Sequence, residues 1–244
     1  MSDTLSILYR DEHLIAIDKP SGLLVHRSEI DRHETRFAVQ LLRDQIGHHV
    51  WPVHRLDRGT SGVLLFALDR ETLRAAGKSF ERNEVDKRYL AVVRGWPPES
   101  GRIDHALSRQ PDGIELRPDI PAAPQEASSR FERLATVELP IYVERYPTSR
   151  YALLRVFPET GRRHQIRRHL KHIAHPVIGD ATHGKGIHNR MFADRFDCRR
   201  MLLMCESMHM RHPVSGTDLV LQAAPDETFT RLLTTFGWAS ALQV

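Results

Sequence analysis

Short apolar runs separated by polar turns open the chain. Leu5 to Tyr9 and Leu14 to Asp18 flank the polar segment Arg10 to His13, and KPSG (Lys19 to Gly22) leads to a further run, Leu23 to His26. Proline presets φ and glycine tolerates positive φ, so the pattern predicts a three-stranded β-meander. The period then changes: Phe37, Leu41, Leu42 and Ile46 fall at helical spacing, with Gly47 where a left-handed cap belongs, predicting a helix over 36–46. A continuous apolar strand is expected over Gly62 to Leu68, a helix over RETLRAAGKSFERNEV, and a strand over KRYLAVVRGW.

Residues 97 to 127 hold Pro97, Pro98, Pro111, Pro118, Pro121 and Pro124 with few large apolar side chains, and read as a long loop excursion. Strands return over Ser129 to Leu139 and Arg150 to Phe157, the latter closed by Pro158. Thr160 and Gly161 then open a helix with Ile166, Leu170 and Ile173 as its apolar stripe. Arg163, Arg167 and Lys171, four apart, are expected to share another face of it. RLLTTFGW suggests a short terminal helix. Strands and helices are mixed rather than alternating.

A chain of 244 residues allows one large domain or two small ones, and a domain of that size removes about 70 to 75% of its unfolded surface from water. Hydrophobic residues at 41% and charged residues at 27% are those of a globular protein and exclude disorder, collagen and coiled coil. The apolar runs Val63 to Leu65 and Met201 to Met204 fall far short of the ~20 residues of a membrane helix. The N-terminus has no basic segment leading into an apolar block, so no export signal is readable and the cytoplasm is the expected compartment. Cys198 and Cys205 are the only cysteines; they fit a reducing compartment and read as buried thiols near an apolar run.

The net charge of +4 is small, but its distribution is uneven. Between Gly161 and Gly179 stand Arg162, Arg163, Arg167, Arg168 and Lys171 with no acidic residue, interleaved with His164, His169, His172 and His175. Such a block is the footprint of a phosphate-backbone binder; alone, it would equally be a solvated basic face. No cysteine or carboxylate ligand adjoins the histidines, so phosphate contact is expected of them rather than zinc.

The stretch HRLDRGTSGVLLFA, residues 54 to 67, sets Asp57 between Arg55 and Arg58. Aspartate ahead of Gly-Thr-Ser-Gly is often only a turn acceptor. At the edge of a core strand beside cations, it is also a carboxylate favoured in its ionised form and able to serve as nucleophile or base.

This block resembles the catalytic motif of RluA-type pseudouridine synthases. DKPSGLLVH, KRYLAVVRG, ETGRRHQIRRHL, HPVIGD and HPVSG are similar to further blocks of that family, in the same order, over nearly the whole chain apart from the proline-rich excursion. HRLDR, RYPTSRY (Arg145 to Tyr151) and GDATHG, with His183 where many relatives have tyrosine, are similar to the branch that modifies uridine 65 of tRNA. The absence of an S4-type domain before the first strand also suits that branch.

The resemblance implies an α+β fold: a mixed, mostly antiparallel sheet split by a catalytic cleft, with flanking helices, in a single catalytic domain. It implies an RNA substrate, with tRNA favoured over ribosomal RNA, and a monomer that needs no metal, cofactor or membrane. Asp57 would be the essential aspartate that detaches uracil from C1′ and lets it rejoin through C5. Attack on C1′, addition to the ring and removal of the 2′ proton all remain open as its role. Tyr89 would stack on the uracil and help remove the C5 proton, its plainer reading being a core aromatic.

Arg167 would pair with the catalytic aspartate, worth about 4 kcal/mol at ~4 Å and an effective dielectric of roughly 20, before desolvation. Arg168, turned about 100° around the helix, could not serve equally. Arg55 would fill the stack vacated by the flipped base, or contact phosphate, or pair with Asp57. Arg58, Arg163, Arg168 and Lys171 would hold RNA. A non-catalytic RNA-binding module would leave Asp57 unexplained, and a metal-dependent phosphodiesterase would instead use the histidines.

Overall fold

A computed structural model describes residues 4–27, 34–108 and 123–242. In chain order the elements are β1 (Ser6–Arg10), β2 (Leu14–Lys19), α1 (Ala38–Ile46), β3 (Trp51–Pro52), β4 (Ser61–Ala67), α2 (Arg70–Glu81), β5 (Asp86–Arg94), β6 (Ser100–Asp104), β7 (Ser128–Leu139), β8 (Ser149–Pro158), α3 (Gln165–His172), α4 (Gly186–Phe196), β9 (Leu203–Arg211), β10 (Asp218–Gln222) and α5 (Glu227–Thr235). A 3-10 turn, Ala239–Leu242, follows. The fold is mixed, and the pairs β1–β2, β2–β4, β3–β4, β5–β8, β6–β7, β7–β8 and β9–β10 are all antiparallel. No helix among the described residues is long and apolar enough to cross a membrane.

The chain forms two compact units. In its described parts the first takes Met1–Lys87, Ala106–Gln125 and Cys205–Ala223, with strand order β1-β2-β4-β9, β3 beside β4 and β10 beside β9. Its centre is the β2–β4 pair, in register from Leu14↔Ala67 to Lys19↔Gly62. Leu14 to Ile17 and Val63 to Ala67 are fully buried, as expected of continuous apolar strands covered on both faces. Gly62 sits at φ +102, and a Cβ added there would lie 2.1 Å from the Cys205 carbonyl oxygen on β9. Only glycine allows that approach.

The expected meander stops at two strands. Residues 20–27 form no strand, and Leu24 makes only an isolated bridge to Phe37. The reason is Lys19, which is wholly buried and donates its ammonium protons to the carbonyls of Pro20 (2.9 Å), Leu23 (2.8 Å) and Arg58 (3.3 Å). One of those acceptors, Leu23, opens the segment expected to enter a ladder, and Pro20 belongs to the turn before it. Helix α1 ends on Gly47 at φ 66, as its sequence predicts. Helix α2 is capped by Asp69, which accepts from Thr72 N–H at 2.7 Å, and stops short of the expected residue 85, with Asn83 already at φ 56.

The second unit takes Arg88–His105, Glu126–Met204 and Ala224–Val244, with strand order β5-β8-β7-β6. Strand β6 lies inside the expected excursion, because Gly101 makes room for the Phe131 ring of β7 and Ile103 is buried. Residues 109–122, which carry Pro111, Pro118 and Pro121, lie outside the described residues. Trp238 is buried beside Phe236 and donates its indole N–H to the Thr136 carbonyl at 3.2 Å, anchoring the C-terminal turn to β7. Helix α3 begins at Gln165, not at Gly161. His164 occupies the left-handed region at φ 54, and the Gln165 side chain folds back to accept from Arg162 N–H (3.0 Å) and the Thr160 hydroxyl (2.7 Å). Cys198 and Cys205 are both buried and outside any disulfide, one in each unit.

Candidate active site

Asp57 stands in the connection between β3 and β4, half-buried, and its carbonyl accepts the Thr60 N–H at 3.0 Å to close a turn. A second turn braces this one. Gly22 N–H and the Lys19 ammonium both reach the Arg58 carbonyl, and the Ser21 hydroxyl donates to the Gly59 carbonyl at 2.8 Å. KPSG thus supports the aspartate turn, a role its turn-forming residues alone did not disclose. Arg58, expected on RNA, is exposed and donates to Glu34 (2.6 Å) and to the Gly22 carbonyl (3.2 Å). Arg55 is exposed next to the aspartate turn.

Beneath the turn, His54 stacks on Phe80 with centroids 5.2 Å apart and planes 12° from parallel. Its Nε2 accepts the Leu65 N–H at 3.1 Å. The ring proton therefore resides on Nδ1. Burial, with a smaller push from Lys87, drives the imidazolium down to about 3, so His54 is a neutral strut between the turn and β4. The Lys87 ammonium lies 5.6 Å from the Phe80 centroid. Burial lowers its pKa, partly offset by Cys205 and Asp86.

Tyr89, Arg163, Arg167, Arg168 and Lys171 all belong to the second unit. Tyr89 is buried on β5 opposite Val156 of β8, the strand on which α3 packs. Arg167 points inward from α3 into a side-on pair with Asp180: Nε to Oδ2 at 2.7 Å and Nη2 to Oδ1 at 2.8 Å, the side chains 8% and 1% exposed. Burial works to raise the Asp180 carboxyl. The Arg167 bond and the N–H groups of His183 and Thr182 outweigh it and hold the carboxyl below its ordinary value. Sequence reasoning missed Asp180 as this partner, since nothing in the twelve intervening residues signals the reversal.

The expected Arg163–Arg167–Lys171 face does not form. Arg163 precedes the first helical residue, Arg167 is buried and Lys171 is exposed. Arg168 is half-buried. The histidines are not a phosphate-facing set either. His169 is fully buried, with Nδ1 bonded to the Ser129 hydroxyl and Nε2 to the His105 carbonyl, both at 3.0 Å. His172 stacks on His105 at 3.7 Å, His164 Nδ1 meets His183 Nε2 at 3.0 Å, and His175 Nδ1 bonds the Arg94 carbonyl at 2.8 Å. Burial lowers both His169 and His183, leaving neutral rings that fasten α3 to β7 and to the loop after it. Among the described residues, no group of three or more His, Cys, Asp or Glu is placed to hold a metal.

Residues 13–172 match the family model described as RNA pseudouridylate synthase. The chain is 49% identical over 236 residues to tRNA pseudouridine synthase C of Yersinia pestis, covering 96% of this chain and 92% of that protein. It is 45% identical over 243 residues to the protein of the same name from Vibrio cholerae, covering 98% and 99%. The solved structure of human RNA pseudouridylate synthase domain containing 1 superimposes with a TM-score of 0.69 at 26% identity, over 92% of this chain and 84% of that one.

Proposed function

We propose that this chain, which belongs to the RNA pseudouridylate synthase family and is therefore an isomerase acting on uridine in RNA, takes tRNA as its substrate and uridine 65 as its target. The observation that carries this reading is the 45 to 49% identity, over nearly the full chain, to proteins named tRNA pseudouridine synthase C. The blocks HRLDR, RYPTSRY and GDATHG support the target position.

Asp57 is the reacting carboxylate. Isomerisation breaks N1–C1′, turns the uracil, forms C5–C1′ and moves one proton from C5 to the solvent-exchangeable pool while N1 gains one. The atoms balance without a co-reactant. The target must leave its stack, at a cost of a few kcal/mol that stacking on Tyr89 and substitution by Arg55 offset. Arg167 supplies a fixed cation to the reaction centre, and Arg58, Arg163, Arg168 and Lys171 contact phosphate. The whole chain acts as one catalytic domain, a cytoplasmic monomer that needs no metal.

Asp57→Asn is expected to abolish pseudouridine formation, read by carbodiimide mapping of treated tRNA, while a gel-shift assay still detects binding. Full activity in that variant would remove Asp57 from its role. Mapping of cellular RNA from a strain lacking the protein should show the modification lost at position 65 of tRNA. Its loss from ribosomal RNA instead would overturn the substrate assignment.

A further inference from the structure

The side chain of Arg167 has several rotatable bonds, and helix α3 alone does not fix its direction. Asp180 does. The carboxylate engages the guanidinium along its Nε edge at 2.7 and 2.8 Å, which fixes the plane of the group and aims its opposite, end-on edge away from Asp180. Asp180 is held just as firmly. Its Oδ1 also accepts the N–H groups of Thr182 and His183, each at 2.9 Å. Its own carbonyl accepts the Asn189 amide at 2.9 Å, and Asn189 Oδ1 takes the preceding Gly179 N–H at 2.8 Å. A Cβ at Gly179 would lie 2.0 Å from the Arg200 carbonyl oxygen, and one at Gly184 would lie 2.2 Å from the Asp180 carbonyl oxygen. The loop is therefore closely packed and hydrogen-bonded around the carboxylate.

We propose that Asp180, braced by Asn189 of α4, is a positioning residue of the isomerase that sets the direction in which Arg167 presents its guanidinium to the reaction centre. The proposal rests on the catalytic reading of Arg167 given above. Stability alone is a weak account of the pair, because replacing a buried ion pair by well-packed apolar side chains is often neutral or stabilising. Orientation is the stronger account. The fixed plane makes Arg167 an aimed set of charged donors.

The test is a double-mutant cycle on kcat, using the full chain and tRNA at saturation, with Asp180→Asn, Arg167→Met and the double variant. Asp180→Asn is expected to lower kcat about 100-fold, the scale of a displacement of roughly 1 Å in a reacting group, with KM for tRNA little changed. The double variant should be no slower than Arg167→Met alone, because a residue that acts only through Arg167 has nothing left to position. Multiplied losses, or wild-type kcat in Asp180→Asn, would overturn the positioning role. Wild-type kcat in Arg167→Met would instead sink the catalytic reading of Arg167. If Arg167→Met melts early because Asp180 is left buried without a counter-charge, the cycle is run below its melting temperature, with the folded fraction of each variant checked by circular dichroism and kcat taken per folded molecule.

Discussion

Gly62→Ala measures how tightly β4 is pressed against β9. At φ +102 an alanine carries backbone strain of about 1 to 3 kcal/mol. Its methyl group would also sit 2.1, 2.8 and 2.9 Å from the carbonyl oxygen, carbonyl carbon and nitrogen of Cys205, all backbone atoms that cannot swing aside. Relieving that overlap costs about 1 to 3 kcal/mol more. The sum, about 4 kcal/mol, is a large share of a typical stability and corresponds to a Tm drop of about 8 to 16 °C in a chain of this size. Gly216→Ala is the internal control, because Gly216 has a similar positive φ of +71 but nothing within 4 Å of the added carbon. It should cost only about 1 kcal/mol. Thermal melts and urea titrations with an unchanged m-value give both numbers. If Gly62→Ala were no more damaging than Gly216→Ala, the claim that strand contact dictates this glycine would be wrong.

Lys19→Met withdraws one ammonium from three carbonyls and should destabilise by about 1 to 3 kcal/mol; faster hydrogen exchange at Gly22 and Thr60 would follow, and unchanged protection there would contradict the bracing role. Asp69→Ala removes the α2 cap at about 1 kcal/mol in denaturant titrations at neutral pH. The Thr72 hydroxyl and N–H lower Asp69 to about 2, so this contribution is complete above its ordinary 3.8 and lost as pH falls through about 2; a stability gap that widened on acidification would refute the assignment. Lys171→Ala, at an exposed site, should weaken tRNA binding and lower the slope of log K against log salt by about one, and an unaltered slope would take Lys171 off the RNA.

Much of the fold was legible because local signals and burial agree. The apolar runs of β2, β4, β5 and β8 lie where they are fully covered, and Gly47 caps α1 as its position predicts. Elements whose patterns are weak escaped. Helix α4 buries only His188, Met191 and Phe192, and β9, LMCESMHMR, builds its covered face from methionine and cysteine in place of branched residues. Of the candidate site, the turn that carries Asp57 was legible and the contacts that support it were not. Asp57 stands in a turn, as its neighbours Gly59 and Thr60 imply, but Lys19, His54 and Asp180 act through contacts with distant parts of the chain. The helix face expected of Arg163, Arg167 and Lys171 failed because a left-handed His164 delays α3.

The two sulfhydryls sealed in the core give the molecule a pair of internal clocks. Cys205 belongs to one unit and Cys198 to the other, and burial pushes the Cys198 thiol up, so it is doubly slow to yield a reactive thiolate. An alkylating reagent can reach each only when its surroundings open, which makes modification at the two positions a separate record of how often each half breathes.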